Sequence, residues 1–281
     1  MQINERHFQK LLRCVKEIHN SSERVKNGVW IGKSTRQWLT SVNTGKWGEE
    51  IGLDPLSFSD QCYDRSQLRD LIQEQRSKPS SLNDTFVRSC VANIFAWGGQ
   101  GARSARSSLR LRNWRSWRQP CFDLLNNSTG AADAYKAFHS LQNKQEMVGV
   151  GPAFYTKLIF FLGNGDGLIM DQWTSRSVNL LFDREVIRLN KGKKKNNGDH
   201  YYSVCKSNDD LVYMIYNDAI SQVSERLSST IGIDISRSET EEFIFSFTTD
   251  RKKTKQLNDQ EYCHATNWRR YVEEMHRPIK Y

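Results

Sequence analysis

The sequence predicts a mostly α-helical protein, and three features carry that prediction. Apolar residues recur at helical spacing in several separate stretches, cap signals and glycines bound those stretches, and no run of alternating strands is visible. With 281 residues the chain can build one large domain or two small lobes around a real core.

Residues 5–19 place Phe8, Leu11, Leu12, Val15 and Ile18 on one stripe with charges opposite, which predicts an amphipathic helix. Residues 30–60, with Trp30, Trp38, Trp47, several glycines and Pro55, read as an irregular aromatic-rich connection. A helix is expected over 64–76. Asn83 then caps a strong helix carrying Phe86, Val87, Cys90, Val91 and Ile94, which ends at Trp97-Gly98-Gly99. Residues 130–142, 152–162 and 172–182 predict three more helices, the last two joined by a tight turn at Gly163-Asn164-Gly165-Asp166-Gly167. The lysine-rich residues 188–200 read as a flexible basic loop, with a short hairpin over 184–205 as the other option. Helix returns over 209–227, and Ser238-Glu239-Thr240-Glu241 has the capping-box pattern ahead of Phe243.

Lysine plus arginine exceed aspartate plus glutamate by 41 − 32 = 9, which favours a polyanionic partner. The excess is local. Residues 103–118 hold Arg103, Arg106, Arg110, Arg112, Arg115 and Arg118, with Trp114 and Trp117 and no acid. Arginines there suit phosphate contact, while the two tryptophans serve either a flipped base or, slightly better, the core. The six cysteines are scattered without a C-x-x-C pair, so neither a disulfide scaffold nor a metal cluster is expected. The longest strongly apolar stretch, Leu158 to Leu162, is far too short to span a membrane, and the N-terminus lacks a signal pattern. A cytoplasmic monomer is the default expectation.

Residues 147–182 carry the chemistry. Gly149-Val150-Gly151-Pro152 allows a compact turn, and proline at the first helical position costs no hydrogen bond. The following helix start offers N–H donors and partial positive charge to a phosphate oxygen. Alone, such a sequence is more often a plain helical corner. Twenty residues past Gly151, Asp171 follows Leu168-Ile169-Met170 at the start of the next helix. It is a good N-cap, and an anionic carboxylate there can also stabilise the oxocarbenium-like sugar left when an N-glycosidic bond breaks.

This segment resembles the helix-hairpin-helix motif of the DNA glycosylase superfamily, and most closely the bacterial branch with the 8-oxoguanine-glycosylase (OGG) fold. The motif spans about 36 residues of the chain. The resemblance implies two helical lobes with a DNA-binding cleft between them, within a single glycosylase unit of residues 1–281. One lobe would be 80–190, containing the hairpin (147–162) and the aspartate loop; the second would be 1–79 with 200–281. It further implies that Gly149, Val150 and Gly151 grip a duplex-DNA phosphate, with a monovalent cation possible at the hairpin backbone, and that Asp171 is the catalytic acid. Bifunctional members carry a nucleophilic lysine two positions after the second glycine. Here that position is Ala153, and Lys157 lies one turn further on. A monofunctional enzyme without lyase activity is therefore expected, requiring no cofactor. Trp97, Gln172, Trp173 and Lys157 are candidates for the base pocket. The branch includes phage-defence glycosylases acting on glucosylated 5-hydroxymethylcytosine, beside base-excision-repair enzymes for oxidised or alkylated bases; the protein would be bacterial and nucleoid-associated. The rivals are a DNA-binding protein in which Asp171 is only a cap, and a nuclease, disfavoured because no carboxylate cluster is visible.

Overall fold

The computed structural model describes residues 1–21, 65–77, 83–99, 102–194, 200–245 and 268–276. The expected irregular connection over 30–60 lies outside them. The chain divides into two compact units. The hairpin unit comprises Gly32–Ile169 and Asp209–Tyr213; the aspartate unit comprises Met1–Ile31, Met170–Asn208 and Met214–Tyr281. The boundary between these units falls between Ile169 and Met170.

In the hairpin unit the described helices are α2 (Arg65–Arg76), α3 (Asp84–Trp97), α4 (Ala102–Leu109), α5 (Leu111–Trp117), α6 (Gln119–Leu125), α7 (Ala131–Asn143) and α8 (Pro152–Leu162). α8 is the hub, packing against α2, α3, α6 and α7, and it is buried without a break from Tyr155 to Leu162. That explains its sequence: Tyr155-Thr156-Lys157-Leu158-Ile159-Phe160-Phe161 has apolar residues all round rather than one stripe, as a helix enclosed by neighbours requires. Asn83 caps α3 as expected, its side chain accepting the Phe86 N–H at 2.9 Å. The left-handed turn that closes α3 sits at Gly99 (φ +73°), while Gly98 stays right-handed. The glycine turn after α8 is pinned by Tyr213, whose hydroxyl accepts from Leu168 N (3.0 Å) and donates to Leu168 O (2.9 Å).

The aspartate unit holds α1 (Glu5–Ser21), α9 (Gln172–Leu181), the strands β1 (Leu189–Lys194) and β2 (His200–Val204), most of α10 (Asp210–Ile231), α11 (Arg237–Phe245) and the helical residues 268–275. α9 is its hub, packed against α1, α11 and β2. Of the two options for 188–200, the hairpin forms: β1 and β2 pair antiparallel with Leu189 opposite Val204 and Lys191 opposite Tyr202. Residues 195–199 lie outside the described set. The capping box of α11 also differs in register from expectation. Ser236 and Glu239 make it, Glu239 Oε2 accepting from Ser236 N (2.8 Å) and Ser236 Oγ from Glu239 N (3.2 Å). Buried Ile235, tied by its own N–H and C=O to Ser228 and Ser224, fixes the chain two residues before Ser238 and starts the helix there.

Candidate active site

In the hairpin unit the turn before α8 is built from both sides. Met147 and Val150 are buried anchors, whereas Val148 and Gly149 face outward. Gly149 has φ +76°, a left-handed conformation that disfavours any side chain, so glycine here is a backbone requirement. Gly151 is the extended N-cap of α8, with Pro152 next. Side chains brace the turn: Gln142 Nε2 donates to Val150 O (2.9 Å), Ser108 Oγ to Val148 O (2.6 Å) and Ser116 Oγ to Glu146 O (3.2 Å). Those serines belong to α4 and α5, so the arginine-rich segment rests directly on the turn.

The arginines of that segment separate into two kinds. Arg106, Arg110, Arg112 and Arg115 are exposed; Arg118 is half-buried and ion-paired with Asp84 at 2.5 Å. The segment itself contains no acid, but folding brings Asp84 to Arg118 across 34 residues of sequence. The Arg103 side chain lies outside the described residues. Trp114 and Trp117 are fully buried, their indole N–H groups donating to Asp84 Oδ1 (2.9 Å) and Ser108 O (3.2 Å). They belong to the core and hold α5 so that its arginines face solvent.

Lys157 is only 7% exposed. Its ammonium turns back toward the start of α8, donating to Ala153 O at 2.8 Å and lying 5.3 Å from the Phe154 ring centroid. A helical side chain leans toward the N-terminus, so the amine of residue 157 reaches the level of residue 153. Gly98 makes room for this stem: a Cβ there would stand 2.8 Å from Lys157 Cδ. Trp97 packs edge-on against Phe161, and its Nε1 is buried with no acceptor among the described residues.

In the aspartate unit Asp171 is 9% exposed and caps α9. Its Oδ1 accepts from Trp173 N (2.7 Å) and Thr174 N (3.0 Å), and Thr174 Oγ1 accepts in return from Asp171 N (3.0 Å). Among the described residues Oδ2 receives no hydrogen bond. One oxygen of the carboxylate thus holds the helix start. Gln172 beside it is half-exposed.

Trp173 has neighbours that the sequence reading missed. Arg269 lies with Cζ 3.3 Å from its ring centroid and Arg176 with Cζ 4.6 Å, so a guanidinium covers at least one face of the indole. Arg176 also lies 4.7 Å from the Tyr202 ring and donates to Val272 O (3.4 Å). Burial depresses the proton affinity of Arg269 to about 10, with Glu273 and Asp171 pulling it back up. The Arg176 contact was readable as an i,i+3 neighbour of Trp173; Arg269 carried no local signal beyond an aromatic and basic run near the C-terminus. Among the described residues no three His, Cys, Asp or Glu side chains gather as a metal site would need, and no helix is long and apolar enough to cross a membrane.

The helical architecture, the hairpin turn and the capped aspartate describe a helix-hairpin-helix glycosylase. Residues 24–245 match the family described as "OGG: Putative 8-oxoguanine DNA glycosylase OGG-like protein", and the chain belongs to that family. Membership makes DNA its substrate class. No curated protein and no solved structure matches the chain significantly.

Proposed function

We propose that the protein is a monofunctional DNA glycosylase: it flips a modified base out of duplex DNA, hydrolyses the N-glycosidic bond and leaves an abasic site. The observation that carries this is Asp171, whose Oδ1 is committed to the helix cap while Oδ2 takes no hydrogen bond among the described residues. A carboxylate fixed in this way stabilises positive charge at the sugar as the base departs, with no reorganisation during reaction. Gly149 to Gly151 and the start of α8 take a backbone phosphate, and Arg106, Arg110, Arg112 and Arg115 neutralise its neighbours. No cofactor enters this scheme. A monovalent cation at the hairpin would share the carbonyls of Val148 and Val150, each of which already accepts a side-chain hydrogen bond. The protein works as a monomer in the bacterial cytoplasm on the nucleoid.

The first substrate reading is the glucosylated 5-hydroxymethylcytosine of phage DNA, which makes the protein a defence enzyme. The second, favoured by the family's description, is an oxidised purine and a role in repair. Duplexes carrying normal, oxidised, alkylated and glucosylated bases separate the two when incubated with enzyme and then treated with alkali to reveal abasic sites. Strand breakage before alkali that disappears in Lys157→Met would replace the hydrolytic reading with a lyase.

A further inference from the structure

We propose that Arg269 is a positioning residue for Asp171, acting through Trp173: it holds the indole, and so the N–H that fixes Asp171 Oδ1. The inference rests on the glycosylase reading only for what Asp171 does, not for how it is held. The geometry is a chain of two contacts joining three residues of one unit. The Arg269 guanidinium lies 3.3 Å from the Trp173 ring centroid, and Trp173 N donates to Asp171 Oδ1 at 2.7 Å. The same oxygen receives Thr174 N at 3.0 Å, so the first turn of α9 sets the direction of the whole carboxylate.

Arg269 comes from residues 268–275, beyond the 24–245 that match the family. Three further bonds tie the segment to the unit: Trp268 Nε1 donates to Ser177 Oγ (3.1 Å), Arg176 Nη2 to Val272 O (3.4 Å), and Tyr271 Oη meets His7 Nδ1 at 2.7 Å. Filling the site with a guanidinium is costly. Arg269 is 7% exposed, and Glu273 is 3.7 Å from its Nε. An apolar residue of similar volume fills such a site at equal or lower cost. What arginine adds is a planar face matched to an indole and a positive charge in the field of Asp171. Glu273, Arg176, Tyr202 and His276 are the other polar groups gathered around this stack.

The test is Arg269→Met, which keeps volume and removes the planar cation, read by two measurements on the full chain. The first is hydrogen exchange at the Trp173 and Thr174 amides, which reports their bonds to Oδ1 whether or not the protein turns over. The second is single-turnover base release from the modified duplex set against the Kd for that duplex. We expect the two amides to exchange at least about tenfold faster and base release to fall by about 10²-fold, with Kd unchanged. Arg269→Lys keeps the charge without the plane and recovers only part of the loss. If Arg269→Met fails to fold, Arg269→Lys carries the test alone, with smaller changes in the same two readouts. Unchanged amide exchange in a folded variant overturns the inference, as does a rate that falls only in step with Kd. Faster amide exchange in a protein whose wild type releases no base would overturn the glycosylase reading and leave the positioning intact.

Discussion

Arginine does opposite work in two segments of the molecule, α4–α5 and the surroundings of Trp173, although the hairpin unit also buries Arg65 with its Cζ 4.0 Å from the Phe160 ring centroid. In the hairpin unit Arg106, Arg110, Arg112 and Arg115 stand in solvent, held out by the buried Trp114 and Trp117 beneath them. In the aspartate unit Arg176 and Arg269 are buried and gather around an aromatic ring. Exposed arginines exchange counterions with the medium and are felt at long range; buried ones act only through contact and local field. Under the proposed function, the α4–α5 segment meets the polyanion and the Trp173 cluster supports the reacting centre.

The strongest way to break that comparison is Asp171→Asn. Asparagine caps a helix about as well as aspartate, so α9 should persist. Base release should fall by about 10²–10⁴-fold with DNA affinity retained, as single-turnover kinetics and a binding titration would measure. Equal loss of both would move Asp171 from chemistry to recognition. Next comes replacement of the four exposed arginines by glutamine. Each lost phosphate contact should reduce the slope of log K against log salt by about 0.9, for a total of about 3.6. Arg176→Gln or Arg269→Met should leave the slope alone, and a change there would erase the distinction between the two segments. Gly149→Ala comes third. Forcing a side chain to φ +76° should cost about 1–2 kcal/mol, with weaker DNA binding, while Gly151→Ala, in ordinary extended backbone, should cost less in a denaturant titration.

The smallest effect is pH-dependent and confined to the aspartate unit. Burial lowers the proton affinity of His7 and His276 below the ordinary 6.5, although Asp183 opposes it at His7 and the Val272 carbonyl at His276. The unfolded chain thus binds more protons just below pH 6.5 than the folded one does. Stability is complete above that value and declines as the pH falls through it. Thermal melts at pH 7.5 and 5.5 should show the decline, and His7→Gln with His276→Gln should flatten it.

What could be read from the sequence was what local chemistry determines. Pro152 at a helix start, Asn83 and Asp171 as caps, and apolar spacing along α3 and α8 each involve residues within a turn or two of one another. Contacts between distant segments were not legible. Asp84 meets Arg118 across 34 positions, and Arg269 reaches Trp173 from the far end of the chain. The capping box of α11 slipped because Ser236 and Ser238 both satisfy the pattern, and buried Ile235 decides between them. Lys157 stands one turn past Ala153 in the sequence, yet its ammonium turns back to the Ala153 carbonyl. Gly98 held the clue to that packing, because a Cβ there would stand 2.8 Å from Lys157 Cδ and the lysine stem would have to shift.

The division of labour at Asp171 also bears on how such a protein changes over generations. Because asparagine satisfies the same amides through Oδ1, a single G-to-A transition in an aspartate codon would silence the chemistry without dismantling the helix it begins. On the proposed function, a gene lineage could cross from releasing a base to merely binding DNA in one step, and cross back as readily.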